Sequence, residues 1–497
     1  MRMKLLFSLF LVHALCVFAE IREITVIQTA DTHSTLFQED KDGHCWTKMA
    51  TLIKRELAAA GEGASLLIDC GDAVQGSMAS SLTGGKAGLV PILTLPYDVF
   101  VPGNHELDFG IEAYRGYCAL AGERLVCGNF SVSGQPQPKA YKLFERNGLK
   151  VAVIGMQASY FHNWLLKDDE AQCRIEKAVP AIRRILPEVL ANRPDVVILA
   201  THQGWLQGRD VRKVNEVNEI ANTFPEIDII LGAHTHRILP GRRIGLKAWY
   251  VQPGANGEFI GVLKIKADTE AHRVVDIQSS LKAVRADLAD DGEMAAALKP
   301  YRERWLKECM RETGIVLKED ISARGRPGVT NEMSALICQA MAEEVGADVV
   351  FHNLLSQFHL RAGKVTPADL QKVVPYDNRI VTAMMTAAQI EQVMKEQWLG
   401  RSSYRFSGPW NALFKHDGDS LKLCEICGAP PEAGRLYKVA FNSHAAAGSG
   451  TSPVLRSILD SEEAGTVVSA TITRDALEAY LRRHCDNLEI RADWIRK

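Results

Sequence analysis

Long apolar runs, a disulfide framework and an excess of one charge are all missing from this chain, and each absence removes a class of function. Beyond the first 19 residues, no hydrophobic stretch reaches the roughly 20 residues that a membrane-spanning helix needs. The formal net charge is −2, so no broad electrostatic field recruits a nucleic-acid polymer or an anionic membrane surface. Cysteines number 11 in 497 residues and show no dense pairing pattern. Cys424-Glu425-Ile426-Cys427 is a lone CxxC without a second pair or a histidine pair, which argues against zinc. It reads as two half-buried thiols or a local disulfide in a hairpin. Repeats, low-complexity tracts and long charge runs are absent as well. What remains is a globular chain, 46% hydrophobic and 24% charged, too long for one core and expected to form two large domains.

Residues 1–19 read as a secretory signal. Arg2 and Lys4 open it, an apolar stretch from Leu5 to Phe18 follows, and Val17 and Ala19 put short side chains before a cleavage expected at Glu20. Export to a periplasm or the extracellular space is the expectation, and Leu15 is too bulky to make Cys16 a lipid-attachment site. From residue 20 to 285, apolar strands alternate with helical and loop stretches, the pattern of a layered α/β domain. Residues 286–313 predict a connecting helix, part of it packed on the following domain and striped by Leu298, Tyr301, Trp305 and Cys309. Residues 314–497 predict a second α/β domain, with helices over Asn331–Val345, Pro367–Val373 and Ala387–Trp398.

The chemistry concentrates at five strand ends in the first domain. Asp31-Thr32-His33, Gly71-Asp72, Gly103-Asn104-His105-Glu106, Thr201-His202 and Gly232-Ala233-His234-Thr235-His236 each follow a β-branched or leucine-rich run. Side chains placed after parallel strands gather along one sheet edge, where open α/β folds bind their ligands. Asp31, His33, Asp72, Asn104, His202, His234 and His236 supply oxygen and nitrogen donors with no cysteine among them. That set suits two divalent metals of the zinc, manganese, iron or cobalt class better than one structural zinc. Asp72 has two carboxylate oxygens and can bridge. Asp31, His33, Asp72 and His236 then hold one cation, and Asp72, Asn104, His202 and His234 the other. Two cations bring +4 and two carboxylates −2, leaving charge for a phosphoryl dianion and a hydroxide. His105 stands outside this set. Asp108, three residues on, can fix its tautomer, so that His105 stabilises the transferring phosphoryl group or protonates the departing oxygen.

In this order the motifs resemble those of the calcineurin-like metallophosphoesterases, and their surroundings resemble the exported 5′-nucleotidase branch. Asp72-Ala73-Val74-Gln75-Gly76-Ser77, Gly103-Asn104-His105-Glu106-Leu107-Asp108-Phe109-Gly110 and Gln252-Pro253-Gly254 carry the likeness. It implies a four-layer α/β/β/α catalytic domain and an α/β C-terminal substrate domain. It also implies a hydrolase that frees phosphate from a phosphomonoester, such as a nucleoside 5′-monophosphate, by attack of a metal-activated hydroxide. In the second half, Pro375-Tyr376-Asp377-Asn378 resembles the segment that carries a stacking aromatic. The resemblance therefore marks Tyr376 as a base platform, with Asn353 and Asn378 as further substrate contacts.

Two elements of the second half depart from that branch. Where the branch has a glycine run ending in arginine, this chain reads Asn353-Leu354-Leu355-Ser356-Gln357-Phe358, with Arg361 out of register. Where it has a Gly-Gly-Asp-Gly-aromatic turn, this chain reads Gly448-Ser449-Gly450-Thr451, leaving Trp410 or Phe406 to compensate. Other substrates of related proteins therefore stay open: a cyclic nucleotide, a nucleotide-sugar diphosphate, or a sulfate on a sulfur-oxidation carrier. So does a non-catalytic binding protein on this scaffold.

Overall fold

A computed structural model of the chain describes residues 20–37, 43–160, 164–208, 214–403, 405–448 and 452–497. The expected signal, residues 1–19, lies outside them.

Two sheets packed face to face form the first domain. One has five strands in the order Arg273–Ala283, Phe259–Asp268, Ile21–Thr29, Ser65–Asp69 and Val99–Phe100. The other has six, in the order Ile238–Ile244, Ala248–Pro253, Ile229–Leu231, Val196–Thr201, Leu149–Met156 and Tyr141–Arg146. Alternate residues of the central strands point to opposite faces, so each strand feeds two cores. Ile24, Val26, Leu66 and Ile68 meet Val151, Val153, Val196 and Ile198 between the sheets. Ile27, Leu67 and Phe100 face outward onto Met49 and Ile53 of the helix Trp46–Ala60. Ile154, Val197 and Leu199 face outward onto Ile182 and Ile185 of the helix Ala178–Ala191. The result is the four-layer α/β/β/α sandwich that the motifs imply. Sequence periodicity overlooked three edge strands, Tyr141–Arg146, Ile238–Ile244 and Arg273–Ala283, because none is buried enough to show an apolar run.

Strand direction is what positions the site. Ile21–Thr29, Ser65–Asp69 and Val99–Phe100 are mutually parallel, as are Leu149–Met156, Val196–Thr201, Ile229–Leu231 and Ala248–Pro253. The carboxyl ends of each set therefore share one edge.

The connecting helix spans Gly292–Cys309 and is capped by Asp291, whose side chain accepts from the Met294 N–H at 2.8 Å. Its apolar stripe lies on the first domain. Met294 and Leu298 are buried in that core, and Trp305 stacks on Phe37 at 5.1 Å. The helix also packs against Pro367–Val373 of the second domain, as the sequence reading of a connector partly packed on that domain implies, and just after it Arg311 bonds Glu478.

That second domain centres on a mixed five-stranded sheet, ordered Gly408–Trp410, Val349–His352, Leu436–Asn442, Arg379–Thr386 and Val467–Ile472. Helices Glu332–Val345 and Thr473–His484 cover one face and Ala387–Leu399 the other. Asn331 caps the first of these, and Thr386 forms a capping box at the last. A three-stranded sheet, Ser420–Ile426, Ala412–Asp417 and Ile495–Arg496, holds Cys424; Cys427 follows it. The ten described cysteines are all free thiols. Among the described residues no helix is long and apolar enough to cross a membrane.

Candidate active site

Five of the seven candidate ligands sit in backbone conformations that L-residues rarely adopt. Asp31, His33, Asp72, His234 and His236 have φ of 49°, 46°, 58°, 69° and 53°. Each such residue costs on the order of 1 kcal/mol or more, and it persists only where the surroundings over-determine it. Here a mesh of hydrogen bonds does so. The Asp31 N–H donates to the Gly71 carbonyl, and the His33 N–H to that of Asp72, both at 2.9 Å. The Asp31 carboxylate accepts from the His234 N–H at 2.9 and 3.0 Å. Glu106, fully buried, accepts from the backbone N–H groups of Asp72, Ala73, Val74 and Gly103, so one carboxylate ties two ligand loops together. Gly103 is required between them, since a β-carbon there would collide with the Asp72 carboxylate and the His202 ring.

These constraints converge the side chains. Ligand atoms of Asp31, His33 and His236 lie within 4.8 Å of one another, as do those of Asp72, His202 and His234. Asp72 also clusters with His33 and His105. His33 Nε2 and His236 Nε2 are 3.0 Å apart, a distance at which they share a proton or converge on one cation. His202 donates from Nδ1 to the Cys70 carbonyl at 2.7 Å. Its Nε2 faces Asp72 Oδ2 at 3.1 Å, so a proton or a cation must lie between the two. Asn104 adds a buried amide oxygen with no hydrogen-bond partner. An orphaned acceptor and a donor set of carboxylate, amide and imidazole fit divalent cations.

Protonation follows the same logic. Desolvation holds His33 and His234 down to about 3, and His236 is also lowered, so three imidazoles stay neutral, the state that binds metal. Burial pulls His202 down, but the Asp72 carboxylate outweighs it and raises the ring to about 9 in the metal-free chain. For Asp72, burial pushes upward, yet His202 and His105 hold the carboxyl well below the usual range.

His105 is set apart. Its Nδ1 bonds Asp108 Oδ2 at 2.7 Å, and its backbone N–H donates to Asp72 Oδ1 at 2.8 Å. Burial opposes its charge, but Asp108 and Asp72 raise it to about 10.

A cavity of about 310 Å³ opens from this edge toward the second domain and is lined by Asn104, His105 and His234 at one end. Tyr376, Asn353 and Asn378 line it from the opposite side. The Tyr376 ring lies nearly parallel to that of His105, at 13° and 6.2 Å between centroids. Asn353 Oδ1 accepts from Asn442 Nδ2 at 3.2 Å, and Asn378 Oδ1 from Ser443 Oγ at 3.4 Å.

The two residues expected to compensate in the pocket face elsewhere. Phe406 is buried in the core against Trp398, and Trp410 packs on Trp494 at 6.1 Å. Phe358 lies beneath Lys372, and Arg361 is an exposed partner of Asp320. Residues 449–451 of the altered turn lie outside the described residues. The cavity is instead walled by groups that sequence reasoning missed: Trp164, Asp169, Arg379, Arg405 and His444. Trp164 tilts over His234 at 5.4 Å. Trp164 and Asp169 fall in the stretch 160–170, which reads in the sequence as a loop or insertion near the active edge; for the arginines the signal was adjacency, as Arg379 follows Asn378 directly and Arg405 precedes Phe406.

A layered α/β domain with this donor set at its strand ends, facing a second domain across a cleft, has the architecture of a metal-assisted phosphoesterase. Comparison with known proteins gives the same class. The calcineurin-like phosphoesterase family matches residues 24–237, and the C-terminal domain of 5′-nucleotidases matches residues 313–457. The chain belongs to the calcineurin-like phosphoesterases that carry a 5′-nucleotidase C-terminal domain, and it is a phosphoric ester hydrolase. The protein UshA of Yersinia enterocolitica is 25% identical over 516 residues, spanning 93% of this chain and 91% of its own. Among solved structures, a 5′-nucleotidase precursor from Thermus thermophilus shares the fold with a TM-score of 0.74 at 17% identity, covering 96% of this chain and 99% of the other. A sulfate thiohydrolase from the same organism shares it with a TM-score of 0.66, also at 17% identity, covering 95% and 96%.

Proposed function

We propose that the chain is an exported phosphomonoesterase that uses two divalent cations to release phosphate from a nucleotide, a nucleoside 5′-monophosphate being the first substrate to test. The observation that supports it most is the convergence of six carboxylate and imidazole groups at parallel strand ends, with the orphaned amide oxygen of Asn104 beside them. Asp31, His33, Asp72 and His236 would hold one cation; Asp72, Asn104, His202 and His234 would hold the other. When bound, such a pair lowers the pKa of water and offsets charge on phosphoryl oxygens.

The chain's own groups do the rest. Asp108 occupies His105 Nδ1, so Nε2 is the ring atom left for substrate, and its proton serves the phosphoryl or leaving-group oxygen. Glu106 holds the Asp72 and Gly103 loops in register, which fixes the spacing between His105 and the ligands. Trp164 and Tyr376 wall the cavity beside the reacting end. The second domain supplies Tyr376, Asn353 and Asn378 to the substrate. Export rests on the residue pattern of positions 1–19 alone.

The test is phosphate release from a nucleotide panel by purified protein loaded with zinc, manganese, iron or cobalt, alongside its metal content. Release from no member by protein that holds two metals per chain would overturn the reading. A second reading keeps the centre and changes the ester. It is favoured by the altered elements of the second domain, where Phe358 lies beneath Lys372 and Arg361 pairs with Asp320 away from the cavity lining. Cyclic nucleotides, diphosphates and a carrier-bound sulfate, run beside the panel, separate the two.

A further inference from the structure

One stretch of the first domain, residues 164–170, is stitched to the second domain right beside a candidate ligand. Consecutive side chains part company there: Leu165 is buried in the core of the first domain, whereas Leu166 packs on the core of the second. Arg456, in the short helix Pro453–Leu459 of the second domain, fastens this strap. Its Nη1 donates to the Leu165 carbonyl at 2.6 Å and to the Ala447 carbonyl at 3.3 Å. Its Nη2 donates to Glu170 Oε2 at 2.8 Å, and its Nε to Asp460 Oδ2 at 2.6 Å. Asp460, one turn along the same helix, already balances the Arg456 charge, so the bonds to Leu165 and Glu170 are not needed to satisfy it. Lys167 adds a second tie, to the Asp460 carbonyl at 2.8 Å. The Arg456 side chain is only 18% exposed, which shelters the fork from solvent. The residue that precedes Leu165 is Trp164, whose indole tilts over the His234 ring at 5.4 Å. His202 meets that ring edge-on at 5.3 Å, so His234 is flanked by an indole and a second imidazole.

Resting on the phosphomonoesterase reading above, we infer that Arg456 is a positioning residue for the metal-binding edge: it holds the strap so that Trp164 keeps the His234 ring in a fixed orientation. The contacts run from Arg456 to the Leu165 carbonyl, through the adjoining Trp164, and onto His234. A ring that turns freely loses that freedom on binding a cation, whereas a ring already held does not, so orientation by neighbours raises affinity. The second domain thereby acts on the metal-binding edge without contributing a ligand. Loosening the strap weakens the cation set of Asp72, Asn104, His202 and His234. It leaves Asp31, His33 and His236 untouched, because neither Trp164 nor Arg456 meets them.

Tryptophan emission tests this, because bound manganese or cobalt quenches an indole close to it. Full-length protein is stripped of metal and titrated with Mn²⁺ or Co²⁺, with bound metal counted in parallel. Wild-type emission should fall as metal binds, and Trp164→Phe should remove most of that fall. Arg456→Gln should lessen the quench and weaken uptake of one of the two cations by about tenfold. Arg456→Lys should restore only part, since an ammonium cannot fork onto a carbonyl and a carboxylate together. Trp164→Ala should weaken the same cation equally, and combining it with Arg456→Gln should add nothing, as both act through one contact. Glu170 is 38% exposed, so Glu170→Gln, with an intermediate loss expected, tests the idea even if the Arg456 variants fold poorly. Wild-type quench and affinity in Glu170→Gln and in any folded Arg456 variant would overturn the positioning role while leaving the phosphomonoesterase reading intact. So would losses that multiply in the double variant. Wild-type protein that takes up no metal would overturn that reading, and the inference with it.

Discussion

The two ends of the interdomain cavity are built in opposite ways. At the metal-binding edge nearly every group is immobilised: Asp31, Asp72, Glu106 and His202 are buried, and the ligand loops are stitched by backbone bonds to buried carboxylates. At the far end the lining groups include half-buried or exposed arginines and asparagines, and no hydrogen bond of the Arg379 guanidinium is found among the described residues. Chemistry on a phosphoryl group tolerates little displacement, since an error of an ångström costs catalysis heavily. Recognition of the leaving group is a matter of a few kcal/mol and can be rebuilt by moving one arginine. The rigid end therefore keeps the motifs of its family, and the looser end is where this chain departs from them.

The largest effect should come from emptying the rigid end. Exhaustive chelation should abolish phosphate release, and divalent cations should restore it. Wild-type protein should bind about two metals per chain by elemental analysis, as an Asp72-bridged pair requires. Asp72→Ala should bind fewer and stay inactive at any metal concentration. Full activity after chelation would mean that the converging side chains serve another purpose.

Next comes His105, the group proposed to act on substrate without holding metal. His105→Ala should lower kcat by roughly 10²–10⁴-fold, while the metal content stays at the wild-type value. Asp108→Asn leaves the ring in place but weakens its orientation, so a loss of roughly 10–100-fold is expected. If His105→Ala instead sheds metal, His105 is a ligand and the division of labour at this edge must be redrawn.

The sequence made the first end readable and hid the second for a physical reason. Candidate ligands such as Asp31, Asp72 and His234 directly follow apolar strands, so the local pattern that predicts the strand also predicts where the side chain emerges. Their unusual backbone angles were not readable, because they arise from long-range bonds such as His234 N–H to Asp31. Arg379, Arg405 and His444 come from separate segments of the second domain and meet only when it folds against the first. Residue type gave no help, as arginines are ordinary on surfaces. Phe406 looked the better cavity residue by chemistry, yet the chain buries it and turns its neighbour Arg405 inward. One residue of register decided the matter. The connecting helix was legible as a helix, but its attachment to the first domain depended on Phe37, which no spacing rule links to Trp305.

A smaller effect tests how the rigidity is made. Glu106 accepts from four backbone donors with no access to water. Glu106→Gln turns an amide N–H₂ toward some of those donors and removes the charge, at a cost of about 2–5 kcal/mol in the first domain. Activity should fall by roughly 10–100-fold, with reduced metal affinity, although the residue touches neither metal nor substrate. Calorimetry and a metal titration check it. A variant of native stability and affinity would show that the ligand loops hold themselves.

The smallest effect lies outside both ends, in the pair that fastens the connector to the second domain. Arg311 forks onto Glu478 with contacts of 2.6 and 2.8 Å, and Arg482 bonds the same carboxylate. Partial burial raises the carboxyl's pKa, but the bonds from Arg311 outweigh it and leave Glu478 below its ordinary value. A depressed carboxylate contributes stability that is present above its unfolded pKa and is lost as pH falls through the lower folded value. Arg311 is 36% exposed, so solvent screening limits the pair to no more than about 1 kcal/mol. Glu478→Gln should therefore lower the second domain's melting temperature by about 2–4 °C near neutral pH. The gap should close as the pH falls below about 4, once the wild-type carboxylate is protonated. A gap that stays constant with pH would mean that Glu478 acts through packing, and that the connector is held to the second domain by shape rather than charge.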